Sequence, residues 1–248
     1  MAKKKRADEL LFEKGLAESR EKAKRLIMAG QVFIEQGNGE QRIDKPGRSL
    51  SSDTEFRVRE TDRFVSRGGH KLLTAINHFN IDIQGKVCLD VGASTGGFTD
   101  CLLQHGAEKV YALDVGYGQL HWRLRQDKRV INLENINIRT SPPDLLLELV
   151  DLITIDCSFI SLGLVLPEAI KFLNPGGFVT ALIKPQFEVG QGKTVKGVVK
   201  SESLIREVVE NVTIKSESEL GLECLGHVAS SIKGPKGNQE YLIYFLKP

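Results

Sequence analysis

No apolar run in the 248-residue chain approaches the roughly 20 uninterrupted residues that a membrane-spanning helix requires, because charges or turn residues break every one. The basic start, Met1 to Arg6, leads into an amphipathic stretch, Leu10 to Ile27, and not into the apolar segment of a signal peptide. A soluble, cytoplasmic protein without membrane contact is therefore expected. Cysteine is scarce: Cys88, Cys101, Cys157 and Cys224 stand singly, without the paired spacing of a metal site or a disulfide framework. Reduced, buried thiols and no bound metal follow. A surplus of one charge is also lacking. With a formal net charge of +2, a polyanionic partner has to be argued from where the charges lie and not from their sum. No internal repeat or low-complexity tract is present.

What is there divides the chain in two. The hydrophobic share of 41% supports one large core with a smaller module attached. In residues 1–60, apolar positions at helical spacing run from Arg6-Ala7-Asp8-Glu9-Leu10-Leu11 to Gly15. Ser19 then offers a side-chain cap for a second helix, Arg20 to Ala29, closed by Gly30. Strand-like Gln31 to Glu35 and Glu55 to Val58 complete a small α+β module. A linker is expected at 61–66. Residues 67–248 alternate strand and helix, the signature of a mostly parallel sheet covered on both faces. The expected strands are Lys86 to Val91, Lys109 to Asp114, Val130 to Leu133, Leu152 to Asp156 and Phe178 to Ile183. A closing antiparallel hairpin, Glu223 to Ser230 with Glu240 to Leu246, makes the sheet seven-stranded and mixed.

Asp90-Val91-Gly92-Ala93-Ser94-Thr95-Gly96-Gly97-Phe98 is a strand running into a glycine-rich turn that opens a helix, which makes a ligand crevice at the strand's carboxyl end. One strand later, Asp114 is suited to accept hydrogen bonds from two ribose hydroxyls. A dinucleotide-binding turn or a purely structural loop would also use glycines. The spacing Gly92-x-x-x-Gly96-Gly97 is not G-x-G-x-x-G, however, and a terminal hairpin is unusual for a dehydrogenase. These features point to a class I, Rossmann-like methyltransferase fold. Asn174-Pro175-Gly176-Gly177 is expected as a tight turn before the fifth strand.

Asp156 ends the fourth strand and Lys184 the fifth, both at the crevice mouth. Lys71 follows Ser66-Arg67-Gly68-Gly69-His70, and Glu240 begins the last strand. Each alone reads more readily as a solvated charge or a helix cap. Together, in this order, Lys71, Asp156, Lys184 and Glu240 resemble the Lys-Asp-Lys-Glu tetrad of the FtsJ-like RNA ribose 2′-O-methyltransferases. Ser66 to Leu72, Asp156 to Leu162 and Ile183 to Glu188 resemble the TlyA group, often labelled hemolysin A, over nearly the whole chain. Arg6 to Leu11, Ser19 to Ala23 and Ile27 to Val32 are similar to an S4 RNA-binding module.

The resemblance implies an S-adenosylmethionine-dependent enzyme that methylates ribosomal RNA, free or in ribosomal subunits, at a cytidine of the 16S or 23S molecule or of both, with no obligate protein partner. It implies cofactor contacts from Asp90, Gly92, Ala93, Ser94, Thr95, Gly96, Gly97, Phe98, Asp114, Val115, Asn135, Ile136 and Asp156. A ribose hydroxyl is a weak nucleophile that must lose its proton as it attacks the methyl group. Lys184, in its neutral form, is the expected base, with Asp156 orienting it, and Lys71 and Glu240 hold the target ribose and its phosphate. Lys3, Lys4, Lys5, Arg6, Arg20, Lys22, Lys24 and Arg25 cluster in the first module as candidate phosphate contacts, extended by Arg67 and by Lys196, Lys233 and Lys236, although acidic neighbours dilute the cluster. Two alternatives are a membrane-active hemolysin, for which the sequence offers no convincing membrane-seeking or spanning element, and an RNA-binding protein whose methyltransferase fold is inactive.

Overall fold

The computed structural model describes residues 4–36, 39–59, 62–190, 192–234 and 236–248. Lys3 of the basic cluster, and Glu60 and Thr61 at the joint, lie outside them. The chain divides into two compact units, Met1–Arg63 and Phe64–Pro248.

In the first unit, β1 (Lys4–Arg6) leads into α1 (Ala7–Glu13), followed by α2 (Arg20–Met28). Ser19 accepts a hydrogen bond from the Lys22 amide, satisfying a donor that the start of α2 leaves open, and Gly30 follows at φ +70°. Ala7, Leu10 and Leu11 of α1 pack on Ala23 and Ile27 of α2, and both meet Val32 and Ile34 of β2 (Val32–Gln36). β2 is flanked by β3 (Gly39–Arg42) and, across its other edge, by β5 (Phe56–Val58), while β1 pairs with β4 (Ser49–Ser51). The sequence reading anticipated two of these five strands. β3 is exposed at every position, so it carries no apolar alternation from which a strand could be read.

The second unit is a seven-stranded sheet with helices on both faces. Its elements are α3 (Gly68–Phe79), β6 (Val87–Val91), α4 (Gly97–Gln104), β7 (Lys109–Leu113), α5 (Trp122–Arg125), β8 (Val130–Leu133), β9 (Val150–Ile155), α6 (Leu162–Ala169), β10 (Leu173–Ile183), α7 (Pro185–Glu188), α8 (Glu202–Leu220), β11 (Glu223–Ala229) and β12 (Tyr241–Leu246). The order is β11-β12-β10-β9-β6-β7-β8, with β12 antiparallel to both its neighbours and the remaining pairs parallel. Alternate residues of each central strand feed opposite cores. Leu89, Val91, Tyr111 and Leu113 meet α6 and α8, whereas Cys88, Val110 and Ala112 meet α3 and α4.

Asn174 to Gly177 lie inside β10 and not ahead of it. The register with β9 slips between Leu173 and Phe178, and Gly176 sits at φ +74°, so the expected turn is an irregularity within a longer strand. Among the described residues no helix is long and apolar enough to cross a membrane. Parallel strands bring the carboxyl ends of β6, β7, β9 and β10 to one edge, and the site stands there.

Candidate active site

The loop after β6 is shaped by close approach. Gly92 lies at φ +84°, and a Cβ there would stand 2.8 Å from the Asp156 carbonyl oxygen, so any larger residue would push β6 from the end of β9. Gly97 opens α4 against α3, where a Cβ would meet the Ser66 side chain and stand 2.8 Å from the Gly69 amide. Asp114, just past β7, accepts the Ser94 amide at 2.8 Å through one carboxylate oxygen and the Gly116 amide at 2.7 Å through the other. Each oxygen keeps a free lone pair for a ligand hydroxyl.

Asp90 stands beneath this loop. It is fully buried and accepts hydrogen bonds from Thr99 (2.6 Å) and Thr154 (3.1 Å). Burial, opposed by those two hydrogen bonds, pushes its carboxyl up to about 7. The folded protein therefore binds this proton more tightly than the unfolded chain does, and stability falls as pH rises from about 4 to about 7. Asp90→Asn is expected to remove that slope, worth on the order of 4 kcal/mol across the window. Urea unfolding of both proteins at pH 5 and pH 7.5 checks it, and parallel pH dependences would overturn it.

Two cavities meet at the strand ends. The first, about 400 Å³, is lined by Gly92, Ser94, Asp114, Val115, Asn137, Ile138, Arg139 and Asp156. Asn135 and Ile136, expected as ligands, instead form the turn that delivers Asn137 to it: the Asn135 amide donates to the Gly116 carbonyl, and the Ile136 amide to that of Asp114. The second cavity, about 580 Å³, shares Gly92, Ser94, Asp156, Ser158 and Phe159 with the first. Ala93, Thr95, Gly97, Phe98, Arg67, Lys71, Lys184 and Glu240 also line it. Gly96 is buried behind the loop.

Four ionisable residues drawn from distant parts of the chain make two ion pairs in this second cavity. Lys71, on the first turn of α3, donates to Glu240 at 2.6 Å, and both side chains are buried. Lys184 Nζ lies 2.6 Å from Asp156 Oδ1 and donates to Ser158 Oγ at 2.8 Å. Asp156 and Ser158 border both cavities, so Lys184, which lines the second, is held by two residues that the cavities share. Cys157 beside it is no nucleophile, since burial pushes its thiol up to about 12.

Three further features escaped the sequence reading. Ser158 holds Lys184. Phe159 is 90% exposed, has φ +65°, and lies 5.1 Å from the Phe187 ring, so a bulky side chain is kept at the cavity rim in a backbone region it rarely adopts. Gln186 reaches Glu240. The segment sequence contained all three residues, but orientation and exposure are tertiary properties.

In the first unit, Arg6 and Arg20 both bind Asp8, whose side chain is fully buried. Burial alone would raise the Asp8 carboxyl, but hydrogen bonds and charge from the two arginines more than offset this and hold it below its ordinary value. Lys24 pairs with Glu21, whereas Lys22 and Arg25 are exposed. A shallow basin gathers Arg6, Lys24, Arg42, Lys45 and Arg48. The last three were not expected.

Comparisons with known proteins agree across the chain. The FtsJ-like methyltransferase profile matches residues 64–247, and the S4 domain profile matches residues 5–56. The chain is 43% identical to the 16S/23S rRNA (cytidine-2′-O)-methyltransferase TlyA of Mycobacterium tuberculosis, over 98% of this chain and 90% of that protein. It is 42% identical to Hemolysin A of Brachyspira hyodysenteriae, over 97% and 99%. A solved structure from Streptococcus thermophilus superposes with a TM-score of 0.74 at 45% identity, covering 100% of this chain and 90% of that one. A methyltransferase-type sheet, a glycine cradle at its strand ends and full-length relatives of one kind lead to a single assignment: this chain belongs to the FtsJ-like methyltransferases that carry an amino-terminal S4 domain.

Proposed function

We propose that the protein uses S-adenosylmethionine to methylate the ribose 2′-hydroxyl of a cytidine in ribosomal RNA, acting on ribosomal subunits in the cytoplasm. The observation that carries this reading is Lys184. Its side chain is buried in the wall of the larger cavity, with the amine 2.6 Å from Asp156 and 2.8 Å from Ser158, two residues that border both cavities.

The residues of the smaller cavity fit the cofactor. Gly92 leaves the room that a Cβ would fill, Asp114 offers the free lone pairs two ribose hydroxyls require, and Asn137 to Arg139 close the far wall. When bound, S-adenosylmethionine supplies an electrophilic methyl group on a sulfonium. Lys184 in its neutral form takes the proton of the attacking 2′-hydroxyl, while Asp156 and Ser158 fix the direction of its amine. The Lys71–Glu240 pair lines the acceptor cavity and orients the ribose. The basic basin of the S4 unit, with Arg42, Lys45 and Arg48, provides phosphate contacts that position RNA without reading it.

Phe159 is an exposed platform for the target base. Phe159→Ala is expected to raise KM for RNA about tenfold or more, the value of one base stacked on an aromatic ring. Unaltered RNA kinetics would remove the platform role. The reading as a whole is tested by incubating the protein with tritiated S-adenosylmethionine and separated subunits, then mapping the label. Ribose-methylated cytidine is expected. Label on a base, or no transfer despite measurable cofactor binding, would overturn it.

A further inference from the structure

We infer that Gln186 is a specificity-determining residue whose side-chain carbonyl accepts a hydrogen bond from an exocyclic amine on the acceptor nucleobase. The inference deepens the reading of this site as an RNA ribose methyltransferase and rests on it.

The argument begins with Glu240. One of its oxygens receives Lys71 at 2.6 Å in a buried ion pair, so it is a carboxylate, and a carboxylate accepts hydrogen bonds without donating any. Its other oxygen receives the Gln186 Nε2 at 3.3 Å. Only the amino end of the amide can face a carboxylate, so the chemistry of Glu240 turns the carbonyl end the other way. That carbonyl oxygen is buried and accepts no hydrogen bond, although Gln186 lines the cavity that also holds Lys184. Its orientation is further fixed from behind, because Gly234 packs so closely on Glu240 that a Cβ there would collide with the carboxylate.

An acceptor that is buried, oriented and unpartnered calls for a donor from the ligand. The reacting hydroxyl already has Lys184, supported by Asp156 and Ser158. Within an RNA chain the other oxygens of the nucleotide are esterified or lie in the ring, so the remaining donors are on the base. Cytosine carries an amine where uracil carries a carbonyl, so uracil would set two acceptors against each other. The neighbouring negative charge of Glu240 adds to that repulsion. Gln186 therefore admits the amine-bearing base and rejects its carbonyl counterpart, much as a site with a dedicated polar partner rejects the analogue that lacks it.

The test uses ribosomal RNA fragments whose methylated position has been mapped, prepared with either cytidine or uridine at that position. The wild-type protein is expected to favour cytidine in kcat/KM by at least tenfold. Gln186→Met, which keeps the length and volume of the side chain, is expected to lower the cytidine value and to raise the uridine value as the clash of two acceptors is removed, so that the ratio approaches one. Gln186→Leu serves as a second variant should the first fail to fold. Cofactor affinity stays unchanged in both. An equal fall on both RNAs would reduce Gln186 to a support for Glu240 and overturn the inference, as would a wild-type protein that does not distinguish them. Transfer to neither RNA by the wild-type protein would remove the methyltransferase reading, and the inference with it.

Discussion

Lys184→Met is expected to lower methyl transfer at saturating RNA and cofactor about a thousandfold, within the range that a positioned base contributes. Methionine keeps the length of the stem and removes only the amine, so the walls of both cavities stay in place. Asp156, whose side chain is about one-fifth exposed, can hydrate once its partner is gone, and folding is affected far less than catalysis. The informative companion is Lys184→Arg. A guanidinium keeps the positive charge beside Asp156 but stays protonated at all working pH values and cannot take a proton. If the lysine is the base, both variants fail alike; if it acts only through its charge, arginine restores much of the rate. Single-turnover kinetics with cofactor binding measured in parallel decide this. Activity within tenfold of wild type in either variant would sink the base assignment.

Glu240→Leu is expected to destabilise the protein by about 3–5 kcal/mol, because it strands the Lys71 ammonium in a buried position beside a side chain that cannot compensate it. For a unit of this size the melting temperature falls by about 10 °C. Removing the second charge as well, in Lys71→Met with Glu240→Leu, is expected to recover most of that loss, since an apolar pair of similar volume avoids the cost of dehydrating two ions. Activity should not return with it. That separation of stability from turnover is the signature of an ion pair kept for the reaction and not for the fold. A double variant that melts at the low temperature of the single one would show that the pair holds the structure, and a double variant that regains turnover would show that it serves only folding.

Much of this could be read locally. The cap of α2 by Ser19, the run of apolar residues through β6 and the glycines that follow it are all short-range consequences of residue type, and the structure has each where its local signal stands. The hairpin of β11 and β12 was also legible, because a lysine- and glycine-rich stretch separates two apolar runs. Other features had no local signal. β3 is exposed throughout and β4 is only three residues long, and only pairing makes them strands. The partnership of Arg6 and Arg20 with Asp8 spans 2 and 12 residues, and it turns two candidate RNA contacts into ligands of a buried carboxylate.

The candidate site divides along the same line. Residue identity and chain order determined the family likeness, the glycine cradle, the carboxylate after β7 and the four members of the tetrad, since these depend on strand ends that alternation of strand and helix already implies. Tertiary structure alone decided what those residues do to one another. Lys71 and Glu240 lie 169 positions apart and meet only because β12 inserts beside β10, antiparallel, at the edge where α3 begins its packing. Contacts between distant segments likewise tie Gln186 to Glu240, hold Asp90 between Thr99 and Thr154, and set Phe159 beside Phe187. The physical reason is that burial, orientation and the strength of an ion pair depend on the surrounding solvent and packing, and these exist only once the chain has closed on itself.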